Sequence, residues 1–353
     1  MLAIKALSAA KQPTPFIAVG HFTSPFISVY EWSIAGFGSK FSNPSTLPTG
    51  QGLSVAFSPS GDAVAVGHSN SPYVSVYAWL ASGFGTKFSN PATLPTGAGS
   101  GVAFSPSGDA ISVVHSTSPS ISTYPWSGSG FGTKYSDPST LPSGGADVKF
   151  SPSGDAIAVS QSVSPYVVAY PWSGSGFGTK YSDPAILPID SAYSVAFSPS
   201  GNAIAVANED FANQYNNIST YAWSGAGFGS RYSDPAFSFF ALYATGVAFS
   251  PAGDALAVSG SNTTLTTSRY LGVFLWSVSG GFVYGSVKYP SILPSGICEG
   301  VAFSPDGNAI AVAHRNSPYV TAYQWTGSDF GSKFVSPTTI PNTALSVTFG
   351  PAI

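Results

Sequence analysis

Short segments in which apolar residues alternate with small or polar ones recur along the whole chain, separated by turn sequences rich in Gly, Pro, Ser and Asp. In Ala63–Val66 the β-branched residues alternate with alanine, and Tyr73–Trp79 alternates in the same way. A period of two predicts β-strands, because successive side chains of a strand point to opposite faces. No segment longer than a few residues carries the period of a helix. The pattern therefore predicts an all-β protein.

The pattern also repeats seven times. Each repeat has a phenylalanine at the end of its first apolar segment, at spacings of 47, 46, 47, 52, 54 and 46 residues: Phe57, Phe104, Phe150, Phe197, Phe249, Phe303 and Phe349. The seven tryptophans of the chain recur once in each repeat, at similar spacings: Trp32, Trp79, Trp126, Trp172, Trp223, Trp276 and Trp325. Internal repeats of about 20–50 residues indicate units that share one continuous core.

One repeat contains four predicted strands. In the third repeat the first strand, Gly101–Phe104, ends in the turn Ser105–Asp109, where Pro and Gly suit the backbone of a tight turn. Two alternating strands follow, and a Gly/Ser turn then leads to the fourth strand, Phe131–Tyr135. Four short antiparallel strands in a repeat of about 40–50 residues are typical of a propeller blade.

The two ends of the repeat region complement each other. The region opens at Phe16, already partway into a repeat, and Ser346–Pro351 is a first strand with nothing after it. We therefore predict that the C-terminal strand pairs into the N-terminal blade and closes the ring, which removes an exposed sheet edge. The predicted fold is a single seven-bladed β-propeller of four-stranded antiparallel blades over residues 16–353, with residues 1–15 as an N-terminal leader or anchoring arm.

The sequence FSPSG before the second strand and the tryptophan at the end of the third resemble the WD-repeat β-propellers, from Phe16 to Pro351. The Gly-His pair of that family is missing, and its Trp-Asp dipeptide never occurs, since Trp is followed here by Ser, Leu or Thr. The near-identical, charge-poor repeats also resemble propeller proteins encoded among bacteriophage structural genes. The second resemblance implies a virion setting, and the first implies a scaffold that docks peptides on one face.

Charge is sparse in this chain: 8% of the residues are charged, and the net charge is −3. This composition argues against a nucleic-acid partner, which calls for a basic stripe. Cys298 is the single cysteine, so the chain cannot form an internal disulfide. No apolar run reaches the roughly 18 residues that a membrane helix needs, and we expect no membrane insertion.

Four histidines stand at the end of the second strand of their repeats: His21, His68, His115 and His314. Equivalent points on neighbouring blades are too far apart for zinc, whose ligands lie about 2 Å from the metal. We therefore expect each histidine to hydrogen-bond its own HSxSP turn, and we expect no metal and no cofactor.

Enzymatic propellers place their chemistry around the central channel. There the sequence offers Asp147 and Glu299, with Asp190 upstream of its strand and Lys149 inside one. Two lone acids from blades four and seven do not make a converging acid, base and nucleophile. The chain also lacks a phosphate loop, a G-x-S-x-G elbow and an HExxH motif. We expect no enzyme and no catalytic residues.

The repeat breaks in blades five and six. The loops Asn208–Asn217 and Gly260–Arg269 replace the regular turn, and Phe237–Tyr243 replaces the regular link. All three belong to one face of adjacent blades, and function concentrates in loops held by a rigid scaffold. We predict a binding patch of Glu209, Asp210, Phe211, Tyr215, Phe237, Phe239, Phe240 and Tyr243. The alternative is that Phe237–Tyr243 packs under the longer loops as a satellite core.

Together these features favour a non-enzymatic structural or interaction propeller. Its first expected partner is a protein assembly, which is either a virion whose capsid or tail it decorates, or a scaffold complex. Its second expected partner is a host-surface glycan. A cellular scaffold that docks peptides on its top face is the alternative, and a glycan-active or glycan-binding propeller is the third hypothesis. The expected location is a virion or an extracellular surface, and otherwise the cytoplasm.

Overall fold

The computed structural model describes residues 15–210, 217–235, 243–261, 270–277, 280–283 and 285–351. Within these ranges the chain is all-β and contains no helix. Accordingly, the described residues include no helix long and apolar enough to cross a membrane.

The described residues form 28 strands, numbered here in chain order. Blades one to four contain β1 Phe16–His21, β2 Ile27–Ser33, β3 Gly36–Lys40, β4 Gly52–Phe57, β5 Ala63–His68, β6 Val74–Leu80, β7 Gly83–Lys87, β8 Gly101–Phe104, β9 Ala110–Val114, β10 Ile121–Ser127, β11 Gly130–Phe131, β12 Gly145–Phe150, β13 Ala156–Gln161, β14 Val167–Ser173 and β15 Gly176–Phe177. The remaining strands are β16 Ala192–Phe197, β17 Ala203–Asn208, β18 Ile218–Ser224, β19 Gly227–Arg231, β20 Tyr243–Phe249, β21 Ala255–Ser261, β22 Leu271–Ser277, β23 Gly281–Phe282, β24 Cys298–Phe303, β25 Ala309–His314, β26 Val320–Trp325, β27 Phe330–Lys333 and β28 Ala344–Gly350.

These strands form seven four-stranded antiparallel sheets, one for each blade, and the first strand of each sheet faces the channel. Six sheets consist of four consecutive strands, whereas blade one has the order β28-β1-β2-β3. There β28 pairs with β1 from Phe16↔Gly350 to His21↔Ala344. The predicted propeller and the predicted closure of its ring are therefore confirmed.

The outermost strand of blades three and four is shorter than predicted. The predicted strand Phe131–Tyr135 is reduced to β11, and β15 is also two residues long. The adjoining third strands carry Pro125 and Pro171, which have no backbone N–H to donate outward. Blade two, with Ala78 at the equivalent position, keeps an outer strand of five residues.

The tryptophan at the end of each third strand joins its blade to the preceding one. Trp79 of blade two is buried, and it meets Phe57 and Phe84 of its own blade and Phe16 and Phe41 of blade one edge to face. The ring centroids are 5.0–5.6 Å apart, and each such pair contributes about 0.5–1.5 kcal/mol beyond area burial. The arrangement of own-blade and preceding-blade rings recurs at Trp32, Trp126, Trp172, Trp223 and Trp276.

The Ser-Pro-Ser-Gly-Asp turns between first and second strands are held by their own side chains. In blade two the hydroxyls of Ser58 and Ser60 donate to Asp62 Oδ1 over 2.7 and 2.6 Å, and the amide of Ala63 donates to Ser58 Oγ over 2.9 Å. These hydrogen bonds lower the pKa of Asp62. The repeated acid after glycine therefore stabilises a turn.

In six of the seven blades a β-bulge in the first strand leaves one residue free of strand pairing. In β4 Gly52 pairs with His68 and Ser54 pairs with Gly67, so Leu53 has no residue opposite it. A bulge of this kind re-aims a side chain. The corresponding residues of the other bulged strands are Ala146, Tyr193, Thr245, Glu299 and Leu345. In blade three the equivalent residue is Ser100, directly before β8.

Substitution of Trp79 by alanine should lower the free energy of unfolding by about 3–5 kcal/mol, because it leaves a cavity between two blades. Chemical denaturation followed by circular dichroism measures the effect. The matched control is Leu80→Ala at the next residue, which is 51% exposed and should change stability by less than about 0.5 kcal/mol. Equal stabilities of the two variants would show that the ring contacts do not hold the blades together.

Candidate functional site

The central channel opens at one mouth into a cavity of about 570 Å³. Its wall contains the bulge-position residue of every blade, a set that we call the bulge ring: Leu53, Ser100, Ala146, Tyr193, Thr245, Glu299 and Leu345. The same seven residues also line a deeper cavity of about 470 Å³. The two cavities are therefore continuous, and the bulge ring lies where they meet.

The deeper cavity contains a carboxylate that joins two blades. Asp147 Oδ1 accepts hydrogen bonds from the amide of Val148, at 2.8 Å, and from Lys149 Nζ, at 2.6 Å. Its Oδ2 accepts from Ser194 Oγ at 3.1 Å and from the amide of Val195 at 3.3 Å, both in blade five. With both oxygens engaged, Asp147 is suited to hold its neighbours in place.

Lys149 lies two residues beyond Asp147 on β12 and therefore on the same face of the strand. Its ammonium donates to Asp147 Oδ1 and to the carbonyl of Val148, the latter over 3.2 Å. The side chain is 41% exposed and lines the channel. Because an ammonium has three donors, one remains to meet a ligand.

Glu299 of the bulge ring forms an ion pair with Arg315 Nε at the mouth. The carboxylate is mostly buried, whereas the guanidinium is exposed, and both side chains line the outer cavity. The backbone amide of Arg315 donates to Ile297 O over 3.0 Å, which fixes the start of its loop. The mouth thus has an acid and a cation side by side.

Two hydroxyl groups of the bulge ring can accept hydrogen bonds from a ligand. Ser100 Oγ donates to Gly145 O over 2.8 Å, and Thr245 Oγ1 donates to Cys298 O over 2.6 Å, each in the next blade. Since these protons are given to backbone carbonyls, each oxygen keeps lone pairs to accept with, of which Thr245 Oγ1 uses one for Ser259 Oγ at 3.3 Å. Donors such as the hydroxyls of a sugar are suitable partners.

Three members of the predicted binding patch lie in the described part of the chain: Glu209, Asp210 and Tyr243. The others lie outside the described residues: Phe211, Tyr215, Phe237, Phe239 and Phe240. The binding role of the patch, and the alternative of a satellite core, both stay predictions.

The described members of the patch reach the channel mouth through Tyr243. This residue lines the outer cavity, and its ring centroid is 6.5 Å from that of Tyr193. Glu209 forms an isolated β-bridge with Tyr243. Burial, and then the nearby charge of Asp190, raise the pKa of Glu209, whereas Asp210 is fully buried.

The histidines make the predicted contacts within their own turns. In blade two His68 Nδ1 lies 2.8 Å from Asn70 O, and Nε2 lies 3.0 Å from Ser75 Oγ. Burial lowers the pKa of His68 to about 4, and that of His21 and His314 likewise to about 4. In the described residues no group of three or more His, Cys, Asp or Glu side chains is placed to hold a metal ion.

The fold and the channel define the class, a seven-bladed propeller with charged groups in its central channel. No protein-family model and no curated protein sequence matches the chain. A periplasmic gluconolactonase of Pseudomonas aeruginosa matches in structure with a TM-score of 0.70 and 17% identity, over 96% of this chain and 100% of its own. Putative 6-phosphogluconolactonases of Bacteroides uniformis and Bacteroides fragilis each match with a TM-score of 0.71, at 14% and 12% identity, over 96% and 98% of this chain and 100% of their own.

These neighbours contradict the expectation of a non-enzymatic structural propeller, because their names are those of enzymes. The expectation rested on treating Asp147 and Glu299 as lone acids. In the structure each carboxylate pairs with a cation: Asp147 and Lys149 line the deeper cavity, and Glu299 and Arg315 line the outer one. None of these three neighbours is named as a virion, bacteriophage or WD-repeat protein, so those resemblances are supported only as far as the propeller fold.

Four residues that line the channel mouth were not among the predicted channel residues: Arg315, Tyr193, Ser100 and Thr245. Alignment of the repeats on their phenylalanine could have found the bulge ring, since its residues stand four positions before each phenylalanine. That position holds Leu, Ser, Ala, Tyr, Thr or Glu, although the residue two positions further on is Val in every repeat.

Replacement of His68 by glutamine should reduce the loss of stability in acid. A histidine with a pKa of about 4 when folded and 6.5 when unfolded stabilises the protein above pH 6.5, and this contribution is lost as the pH falls toward 4. Each unit of that difference corresponds to about 1.4 kcal/mol. Unfolding free energies measured between pH 7 and pH 4 should therefore fall less steeply in His68→Gln than in the wild type.

The control is the reverse change at the equivalent place in blade four. Gln161 Nε2 already donates to Val163 O over 2.8 Å, so glutamine fits this turn. Gln161→His should make the pH dependence steeper. Identical slopes in the wild type and both variants would contradict the assignment.

Proposed function

We propose that the protein is a hydrolase that opens the lactone ring of a sugar acid inside the central channel. The observation that carries the proposal is that Glu299 of blade seven and Lys149 of blade four both line one channel, so that a lactone between them can meet the carboxylate on one side and the ammonium on the other. The names of the structural neighbours support the same reaction class. A location outside the cytoplasm belongs to this proposal, since one neighbour is periplasmic.

Lactone hydrolysis needs a base for the attacking water and positive charge for the oxyanion. Glu299 is the base: its carboxylate takes a proton as the water oxygen bonds to the lactone carbonyl carbon. Lys149 donates to the oxyanion of the tetrahedral intermediate. The bond between that carbon and the ring oxygen then breaks, and the ring oxygen receives the proton from Glu299. The product is the open hydroxy acid, and Glu299 returns to its starting state.

The two remaining charged groups act as positioning residues. Asp147 holds the ammonium of Lys149 and is itself fixed by four donors from blades four and five. Arg315 pairs with Glu299 from the exposed side of the mouth. Once the ring has opened, the new carboxylate is an additional anion beside these cations, which bind carboxylates well.

The hydroxyl-bearing side chains account for recognition of the sugar. Ser100 and Thr245 lie in the same bulge ring as Glu299, Thr245 in the neighbouring blade six and Ser100 in blade three. Both offer lone pairs, because their protons bind backbone carbonyls. A sugar lactone presents several hydroxyl donors, which these oxygens can accept.

Replacement of Glu299 by glutamine should lower kcat for δ-gluconolactone by about 100-fold or more, because the substitution removes the base and keeps the shape. Lys149→Met should also lower kcat, since the oxyanion loses its cation. Initial rates of acid release, measured in a pH-stat and corrected for spontaneous hydrolysis, give these values.

The matched controls come from the segment that follows the outer strand β15 in the same blade as Lys149. Lys180 pairs there with Asp183, three residues on, far from the channel lining. Lys180→Met and Asp183→Asn should keep wild-type rates. A wild-type protein that fails to accelerate hydrolysis, or a fully active Glu299→Gln, would overturn the proposal.

A further inference from the structure

The channel mouth offers more room than a single lactone ring needs. The outer cavity of about 570 Å³ continues through the bulge ring into the inner one of about 470 Å³. Sites of about 300–1,000 Å³ enclose ligands of drug size. Each of the two connected parts can therefore receive a ring of its own, one below the bulge ring and one above it.

One wall of the outer part is aromatic. Tyr193 is 38% exposed even though it belongs to β16, and its ring meets that of Tyr243 from the neighbouring blade edge to face. Both rings line the outer cavity. An exposed tyrosine backed by a second, half-buried one in a concave site provides a large apolar surface at a low entropic cost.

The opposite wall is aliphatic. The first strands contact one another in ring order, so blade five lies three blades from blade one in one direction and three from blade two in the other. Those two blades supply Leu345 and Leu53 to the bulge ring. Tyr193 therefore faces the two leucines across the mouth, and the space between them is a slot with two apolar walls.

The ends of this slot are polar. Ser100 lies on the blade-three side, and Thr245 and the Glu299–Arg315 pair lie on the side of blades six and seven. A pyranose ring has the matching shape, because its two faces consist of C–H groups and its rim carries hydroxyls. The faces can pack against tyrosine and leucine while the rim hydroxyls meet the polar ends.

From this arrangement we infer that the substrate is a lactone that carries at least one further sugar ring, and that this second ring lies between Tyr193 and the leucines. The inference rests on the proposed lactonase function and adds the class of substrate. A phosphorylated lactone fits less well, because both cations that line the described channel, Lys149 and Arg315, are already paired with carboxylates.

The test compares three substrates: δ-gluconolactone, 6-phosphogluconolactone, and cellobionolactone, in which a glucose ring is attached to the gluconolactone. The wild type should show the highest kcat/KM with cellobionolactone, by about ten-fold or more over δ-gluconolactone, because binding of the remote ring contributes to the transition state. Tyr193→Ala should abolish most of this ratio, and Tyr193→Phe should keep it, since the ring is what packs on the sugar.

Ile34→Ala is the control, as Ile34 is an exposed apolar residue outside the channel lining, and it should keep the wild-type ratio. A binding measurement makes the test independent of turnover. In calorimetry with the products, cellobionate should bind the wild type more tightly than gluconate, and Tyr193→Ala should remove the difference.

Equal or lower kcat/KM for cellobionolactone, with δ-gluconolactone still hydrolysed, would overturn the inference and leave the proposed function standing. A preference for 6-phosphogluconolactone would also overturn it. If no lactone is hydrolysed faster than in buffer, the proposed function fails. The calorimetric comparison then decides whether the sugar slot exists, and equal binding of cellobionate and gluconate would exclude it.

Discussion

The interlocking of aromatic rings between neighbouring blades is the interaction on which this structure depends. Each tryptophan contacts a phenylalanine of the first strand and another of the fourth, so it spans its own blade, and in most blades it also meets a ring of the preceding blade. The blades are thereby held at fixed angles around the axis. These ring contacts determine how neighbouring blades pack in a chain in which only 8% of the residues are charged.

Opposite charges are paired wherever they occur in the channel. Asp147 with Lys149 and Glu299 with Arg315 are each nearly neutral as a pair, so the channel carries reactive groups without a strong net field. The two pairs nevertheless differ in exposure, because Asp147 and Glu299 are mostly buried whereas Lys149 and Arg315 are accessible. A ligand entering the channel therefore meets the cations first.

The repeats made the fold predictable from the sequence, because phenylalanine, tryptophan and the Ser-Pro-Ser-Gly-Asp turn recur at the places that packing and turn geometry demand. The candidate site was harder to predict from the sequence. Strict alternation along a strand does not tell which residue a bulge turns toward the channel, so Tyr193 and Thr245 were overlooked. The pairing of Glu299 with Arg315 depends on the register of β24 with β25, which brings residues 16 positions apart together. Without that partner, Glu299 looked like an isolated acid.

The bulge residues line the channel but take no part in the pairing of strands that holds the blade together. A residue that makes no ladder pairing can change its side chain without disturbing the sheet, and the bulge ring ranges in size from alanine to tyrosine while the strands around it remain alike. Substitutions at this ring can therefore change which ligand binds at little cost to folding stability. Within this one chain, the seven blades thus share a scaffold and differ in the side chain that each presents to a ligand.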